Sequence, residues 1–215
     1  MRQLDGFSSA GMVAALEQAW AAIRDRHTDL PATVIIVGSG SPARPSMPLK
    51  LGHFVSSQWQ YGTNVLSEVL ISGEGLSRPV EAVLATLLHE AAHGVAFVRG
   101  VQDTSRQGRW HNKRFAQLAS ELGLVVEQAP KIGWSVTTLA PGTRARFGDV
   151  VDGLDAALKA YRHPTATETG KTKARNGAVL VCTCGRKIRA STTVAAQGPI
   201  VCGVCDDAFQ VEDAD

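Results

Sequence analysis

Residues 82–98 form a nearly apolar run with His89, Glu90 and His93 at its centre. Leucine, alanine and valine at that density favour a helix, and one this apolar must be buried. A membrane span is excluded by the ionisable group and two imidazoles at mid-length. The remainder of the chain must therefore wrap around this segment. On a helix the two histidines stand one turn apart, about 6 Å along the axis and on one face. Burying two imidazoles and a carboxylate in one turn is costly unless a cation or other partners satisfy them. The His-Glu-x-x-His pattern is the one that lets two imidazoles take one zinc ion while the glutamate beside them stays free as a base.

The chain has 215 residues, 44% hydrophobic and 20% charged, which suits one sizeable domain and a small module. Glu17, Arg24, Asp25 and Arg26 interrupt the first helical stretch, so no secretory signal is expected there. All four cysteines fall near the C-terminal end, from Cys182 onwards, at paired spacings. That arrangement points to a metal site in a reducing compartment, and a cytoplasmic protein without a membrane partner is expected. A formal net charge of +2 does not by itself imply nucleic acid as a partner.

Apolar positions Met12, Val13, Leu16, Trp20 and Ile23 recur at helical spacing. Thr33–Val37, Gly52–Ser57 and Val65–Ser72 read as three strands of a small sheet, with a Gly-, Ser- and Pro-rich loop from Gly38 to Pro48. Ser77 is the expected cap of the histidine-bearing helix, Pro79 lies in its first turn, where proline is tolerated, and Gly100 is its stop. Phe115, Leu118, Ala119 and Leu122 mark a second helix from Asn112, with His111 at its entrance. A strand at Ser135–Leu139 and a helix from Gly148 to Tyr161 complete the unit. Residues 163–176 have the composition of a flexible linker. The expected organisation is α+β: a catalytic domain over 1–162, that linker, a four-cysteine module over 177–211, and an acidic tail at 212–215.

A catalytic zinc takes three protein ligands, so one more is needed. His111 follows His93 after a stretch long enough for the chain to turn back, and is the first choice; Asp103 and Glu121 are the alternatives. Cys182 with Cys184 and Cys202 with Cys205 form two tight pairs, separated by the spacing of a closed structural zinc site. Gly185 and Gly203 supply the tight turns, and segments 179–181, 187–189 and 199–201 suit short strands. One catalytic and one structural Zn2+ per chain are expected.

His89-Glu90-Ala91-Ala92-His93, the Gly100 loop, Trp110-His111-Asn112-Lys113-Arg114-Phe115 and the C-terminal cysteines together resemble the SprT-like metalloprotease family, to which Spartan belongs. The resemblance spans most of the chain. It implies a zincin-like domain, a small β-sheet plus the HExxH helix, followed by a zinc ribbon. It further implies His89, His93 and His111 on the catalytic zinc, Glu90 as catalytic residue, Phe115 as the aromatic after the third histidine, and peptide-bond hydrolysis in a protein substrate. Zinc itself, Tyr61 and Arg109 are open choices for stabilising the oxyanion. Basic clusters at Arg106, Arg109, Lys113 and Arg114, at Lys171 and Lys173, and at Arg186 and Lys187 could contact DNA phosphates, which fits action on DNA-associated proteins such as DNA–protein crosslinks. Spartan's accessory DNA-binding and partner-binding segments have no visible counterpart here. The alternatives are a nonenzymatic nucleic-acid-binding zinc protein and a regulatory protease that cleaves a dedicated repressor.

Overall fold

The periodic apolar positions of the first segment form helix α1 (Ser9–Arg26), closed at its N-terminus by the Ser8 hydroxyl, which accepts from the Gly11 backbone N–H. Leu16, Trp20 and Ile23 on its inner face are buried. The computed structural model describes residues 7–40, 49–164 and 178–211, and the chain falls into two compact units, 1–165 and 166–215. Each is a mixture of helices and small sheets. The expected linker lies almost entirely, and the acidic tail entirely, outside the described residues.

Three strands follow α1: β1 (Thr33–Gly38), β2 (Gly52–Tyr61) and β3 (Asn64–Ser72). They lie in the order β1-β3-β2, with β3 parallel to β1 and antiparallel to β2, so β2 is an edge strand. A 3₁₀ turn, Glu74–Ser77, leads into α2 (Val80–Val98). Ser77 does not cap that helix: its hydroxyl donates to the Glu74 carbonyl inside the turn, and Pro79 takes the cap position without a side-chain bond. Proline has no side-chain acceptor, so the first N–H groups of α2 are left without a side-chain cap. Gly100, at φ +62, ends α2 as expected.

The second sheet contains β4 (Thr104–Ser105), β5 (Trp110–His111), β6 (Leu124–Ala129) and β7 (Gly133–Leu139), in the order β4-β5-β7-β6. Between β5 and β6 runs α3 (Lys113–Glu121), and α4 (Thr143–Arg146) and α5 (Gly148–Ala157) follow β7. The helix expected to reach Tyr161 stops at Ala157, and the segment beyond it runs back to the first sheet. There Arg162 donates its backbone N–H to the Gly73 carbonyl and pairs with the buried Glu74 carboxylate at 3.2 Å.

Helix α2 is the centre of the first unit. Val83, Leu84, Leu87, Leu88, Ala91, Ala92 and Val95 are fully buried, and each leucine contributes about 1.5–3 kcal/mol of apolar burial. Neighbouring elements cover it on several sides, which is why its sequence is apolar almost all round. Among the described residues no helix is long and apolar enough to cross a membrane.

The second unit is small: β8 (Ala178–Val181), β9 (Lys187–Ala190), α6 (Thr192–Ala196) and β10 (Gln210–Val211), with sheet order β10-β8-β9. The third strand is β10 and not the expected 199–201, where only an isolated bridge joins Val201 to Ala208. Pro199 and the second cysteine turn leave too little extended chain there for a ladder.

Candidate metal centre

His89 and His93 project from one face of α2, with ring centroids 5.2 Å apart, and His111 arrives from β5 with its ring 5.1 Å from each. One ligand nitrogen from each of the three lies within 4.8 Å of the other two, so the set can hold a metal ion. The third histidine is delivered by the short β4–β5 hairpin, which turns the chain back towards α2. Gly133 allows this. It sits at φ +73, and a Cβ there would lie 2.2 Å from the His111 carbonyl oxygen, so only glycine lets β7 approach β5 closely enough.

Each imidazole is held through Nδ1. His89 Nδ1 is 3.1 Å from Thr137 Oγ1 on β7, His93 Nδ1 is 2.5 Å from Asp103 Oδ2, and His111 Nδ1 is 3.2 Å from the Ile132 carbonyl oxygen. A carbonyl only accepts, so His111 carries its hydrogen on Nδ1 and leaves a lone pair on Nε2. The Asp103 carboxylate imposes the same tautomer on His93. With single hydrogens on the two Nδ1 atoms, the Nε2 lone pairs of His93 and His111 face each other at 3.2 Å, an arrangement that a shared cation relieves. Two ligands on a tetrahedral ion with bonds of ~2.0–2.1 Å stand roughly 3.3 Å apart, close to that spacing.

Burial first, and then the neighbouring imidazoles, push His89 well below the ordinary histidine range, and the same causes, burial and His93, bring His111 down to about 4. Both rings are therefore neutral at pH 7, the form a metal needs. Phe115, fully buried, lies with its ring centroid 4.5–4.7 Å from all three imidazoles and forms the apolar floor of the site. Asn112 puts it there by capping α3, its Oδ1 accepting from the backbone N–H groups of Arg114 and Phe115.

Glu90 is buried next to the triad, at 4% exposure. Its carboxylate reaches the edge strand β2, where the Phe54 backbone N–H donates to it and the absent side chain of Gly52 makes room: a Cβ there would come 2.8 Å from Oε1. Burial raises its pKa to about 7, against the opposing pull of His93 and Lys50.

Comparison with protein-family models, with curated proteins and with solved structures finds no match to this chain.

The two alternative third ligands have other roles. Asp103 bonds His93 from behind, and Glu121 pairs with Arg99, which also holds Asp29. Thr137, the Ile132 carbonyl, Gly52 and Gly133 are not foreshadowed by any local pattern, because only strand pairing between segments far apart in the chain brings them to the site. Tyr61 lies beside the Gly62 turn at the far end of β2 and is 73% exposed, and the Arg109 guanidinium bonds within its own loop to Arg106 and Gln107.

The cysteines make the second candidate site. The four Sγ atoms lie within 4.8 Å of one another, with Cys182 and Cys205 3.2 Å apart and Cys184 and Cys202 3.8 Å apart. Backbone N–H groups of Val204 and then Cys205 draw the Cys202 thiol down to about 6 against its burial, whereas at Cys182, against the backbone N–H of Cys184, burial and the neighbouring thiols push the thiol up to about 12, so Cys202 ionises ahead of Cys182. In the first turn Gly185 takes the left-handed position at φ +85, as expected. In the second that position belongs to Asp206, at φ +59, and not to Gly203. Aspartate tolerates this conformation, and Gly203 needs no positive φ.

Arg106, Arg109, Lys113 and Arg114 are exposed on the hairpin tip and the first turn of α3, close in sequence to His111. Arg106 stacks on the Trp110 ring at 4.5 Å. In the second unit Arg186 and Lys187 are exposed, and Arg186 also points a guanidinium N–H at Cys202 Sγ, 3.8 Å away. Lys171 and Lys173 lie outside the described residues.

Proposed function

We propose that this chain is a zinc-dependent endopeptidase of the SprT-like type, with a zincin-like first unit and a zinc ribbon as the second. One observation carries the reading: three imidazoles converge on one point while a buried carboxylate, not among them, stands at the next residue of the same helix. A structural zinc site is closed by four protein ligands and has no use for such a group. This argues against a nonenzymatic zinc protein.

Held by His89, His93 and His111, zinc would supply Lewis acidity, which makes a water acidic near neutral pH and polarises a peptide carbonyl. Glu90 does the proton work. Its carboxylate accepts a proton from water at one oxygen and returns it to the leaving amine. Burial and the Phe54 N–H hold it in one orientation, and its raised proton affinity suits a group that must both take and give near pH 7. Phe115 keeps water from the back of the imidazoles.

DNA-associated proteins are the substrate class we favour. Lys113 and Arg114 occupy the first turn of α3, where the helix dipole disfavours cations, and that turn has no acidic residue. Arg106 adopts φ +52. Charges placed against local preference at the side of the site suit an anionic partner better than they suit folding. The gathered, unbridged thiols agree with the reducing cytoplasm.

The test is digestion of an unfolded protein and of a DNA-bound protein by the zinc-loaded chain, with new N-termini mapped by mass spectrometry. Cleavage that stops on chelation and returns with zinc is expected, as is DNA binding whose logarithmic salt slope flattens by about 0.9 for each of the four basic side chains that meets a phosphate and is neutralised. A chain with both sites zinc-filled that cuts neither substrate contradicts the protease reading. A salt slope unchanged in the neutralised variant removes DNA.

A further inference from the structure

We propose that Asp103 is a positioning residue that sets how tightly the histidine triad holds its metal, an inference that rests on the triad being a metal site. Asp103 Oδ2 lies 2.5 Å from His93 Nδ1, and the two side chains are only 14% and 17% exposed. Accepting at that position keeps the imidazole hydrogen on Nδ1 and aims the Nε2 lone pair at the point shared with His89 and His111. The partners of the other two ligands are neutral, a threonine hydroxyl and a backbone carbonyl. Of the three contacts behind the imidazoles, that of Asp103 is therefore the one that brings a negative charge. A carboxylate one imidazole away from a dication makes that ring a stronger donor and offsets part of the ion's charge in a partly buried site.

The carboxylate is fixed in place as well as charged. The Asp103 backbone carbonyl accepts from the Asn112 N–H at 2.9 Å, the Asn112 side-chain amide donates to the Gln102 carbonyl at 2.8 Å, and Thr104 pairs with His111 across the hairpin. One hairpin thus carries both the third ligand and the partner of the second. Asn112 also caps α3 and thereby seats Phe115. These contacts hold Asp103 against His93 without a metal, so its effect is expected in affinity and not in the fold.

The test uses the full chain with Asp103→Asn, which keeps the shape and an acceptor oxygen but removes the charge, and Asp103→Ala. Co2+ is the probe, because thiolate-to-cobalt charge transfer marks the four-cysteine site whereas histidine-bound cobalt shows ligand-field bands alone; competition with Zn2+ then gives each site's affinity. The triad is expected to lose roughly 10- to 100-fold in affinity in Asp103→Ala, with a smaller loss in Asp103→Asn and the cysteine site unchanged. Unchanged triad affinity in both variants overturns the proposal, as does an equal loss at both sites, which marks general unfolding. Should Asp103→Ala fail to fold by circular dichroism, Asp103→Asn decides alone. If the unsubstituted chain shows only the thiolate-bound cobalt, the triad reading itself fails, a result distinct from either outcome for Asp103.

Discussion

Replacing Glu90 with glutamine is expected to leave both metal sites filled and to lower peptide hydrolysis by at least about 10²- to 10⁴-fold. Glutamine keeps the shape of the side chain and an acceptor oxygen for the Phe54 N–H, so the packing against Gly52 survives; what disappears is the ability to take a proton from water. The same variant carries a stability signature in the metal-free protein. Burial raises the Glu90 pKa from 4.5 to about 7, so folding favours its protonated form. A group raised in the folded state contributes its full stability below pH 4.5 and loses it as pH rises through 7. Metal-free Glu90→Gln should therefore be more stable than the unsubstituted chain at pH 8, with the difference fading towards pH 4.5. Denaturant titration at the two pH values checks this, and metal analysis with a peptidase assay checks the rest. Full hydrolysis by the variant would remove Glu90 from the mechanism.

Chelation is expected to unfold the second unit while the first keeps its helices. The buried hydrophobic side chains described in the second unit are Leu180, Cys182 and Cys202. Two of the three are cysteines, so there is almost no core apart from the sulfurs. Metal binding in such modules supplies about 10–16 kcal/mol, most of what holds them folded. The first unit has a continuous core around α2 that includes Leu84, Leu87, Leu88 and Phe147, held by apolar packing. Amide NMR dispersion should collapse for residues 178–211 on chelation, and Cys202→Ser should reproduce the collapse without chelator. Dispersed signals from that segment in the chelated protein would show that a core other than the sulfurs holds it.

Much of this is legible in the chain because the informative signals are local. HEAAH within an apolar run fixes two imidazoles by helical spacing alone, and the paired cysteines fix their own turns. His111 is legible as a choice among three side chains; what decides against Asp103 is the hairpin pairing Thr104 with His111, which turns the carboxylate to the back of His93. Strand β6 is hidden because it follows α3 after only two turn residues, Leu122 and Gly123, and exposes Val125, Glu127 and Gln128, leaving no clean alternation. Thr137 and Gly133 belong to β7, and their roles exist only once β7 has paired with β5 and β6. Asp206 in the left-handed position shows that composition names the residues able to make a turn but not which of them makes it.

Anomalous diffraction at the zinc absorption edge, from crystals of the zinc-loaded chain, tests the central claim most directly. Two peaks per chain are predicted: one among the four cysteine sulfurs, and one about 2.0–2.1 Å from the Nε2 atoms of His93 and His111 and bonded to His89, with Asp103 outside the coordination sphere. A crystal that shows the cysteine peak and none at the triad, or one in which Asp103 replaces His111 as the ligand, would contradict it.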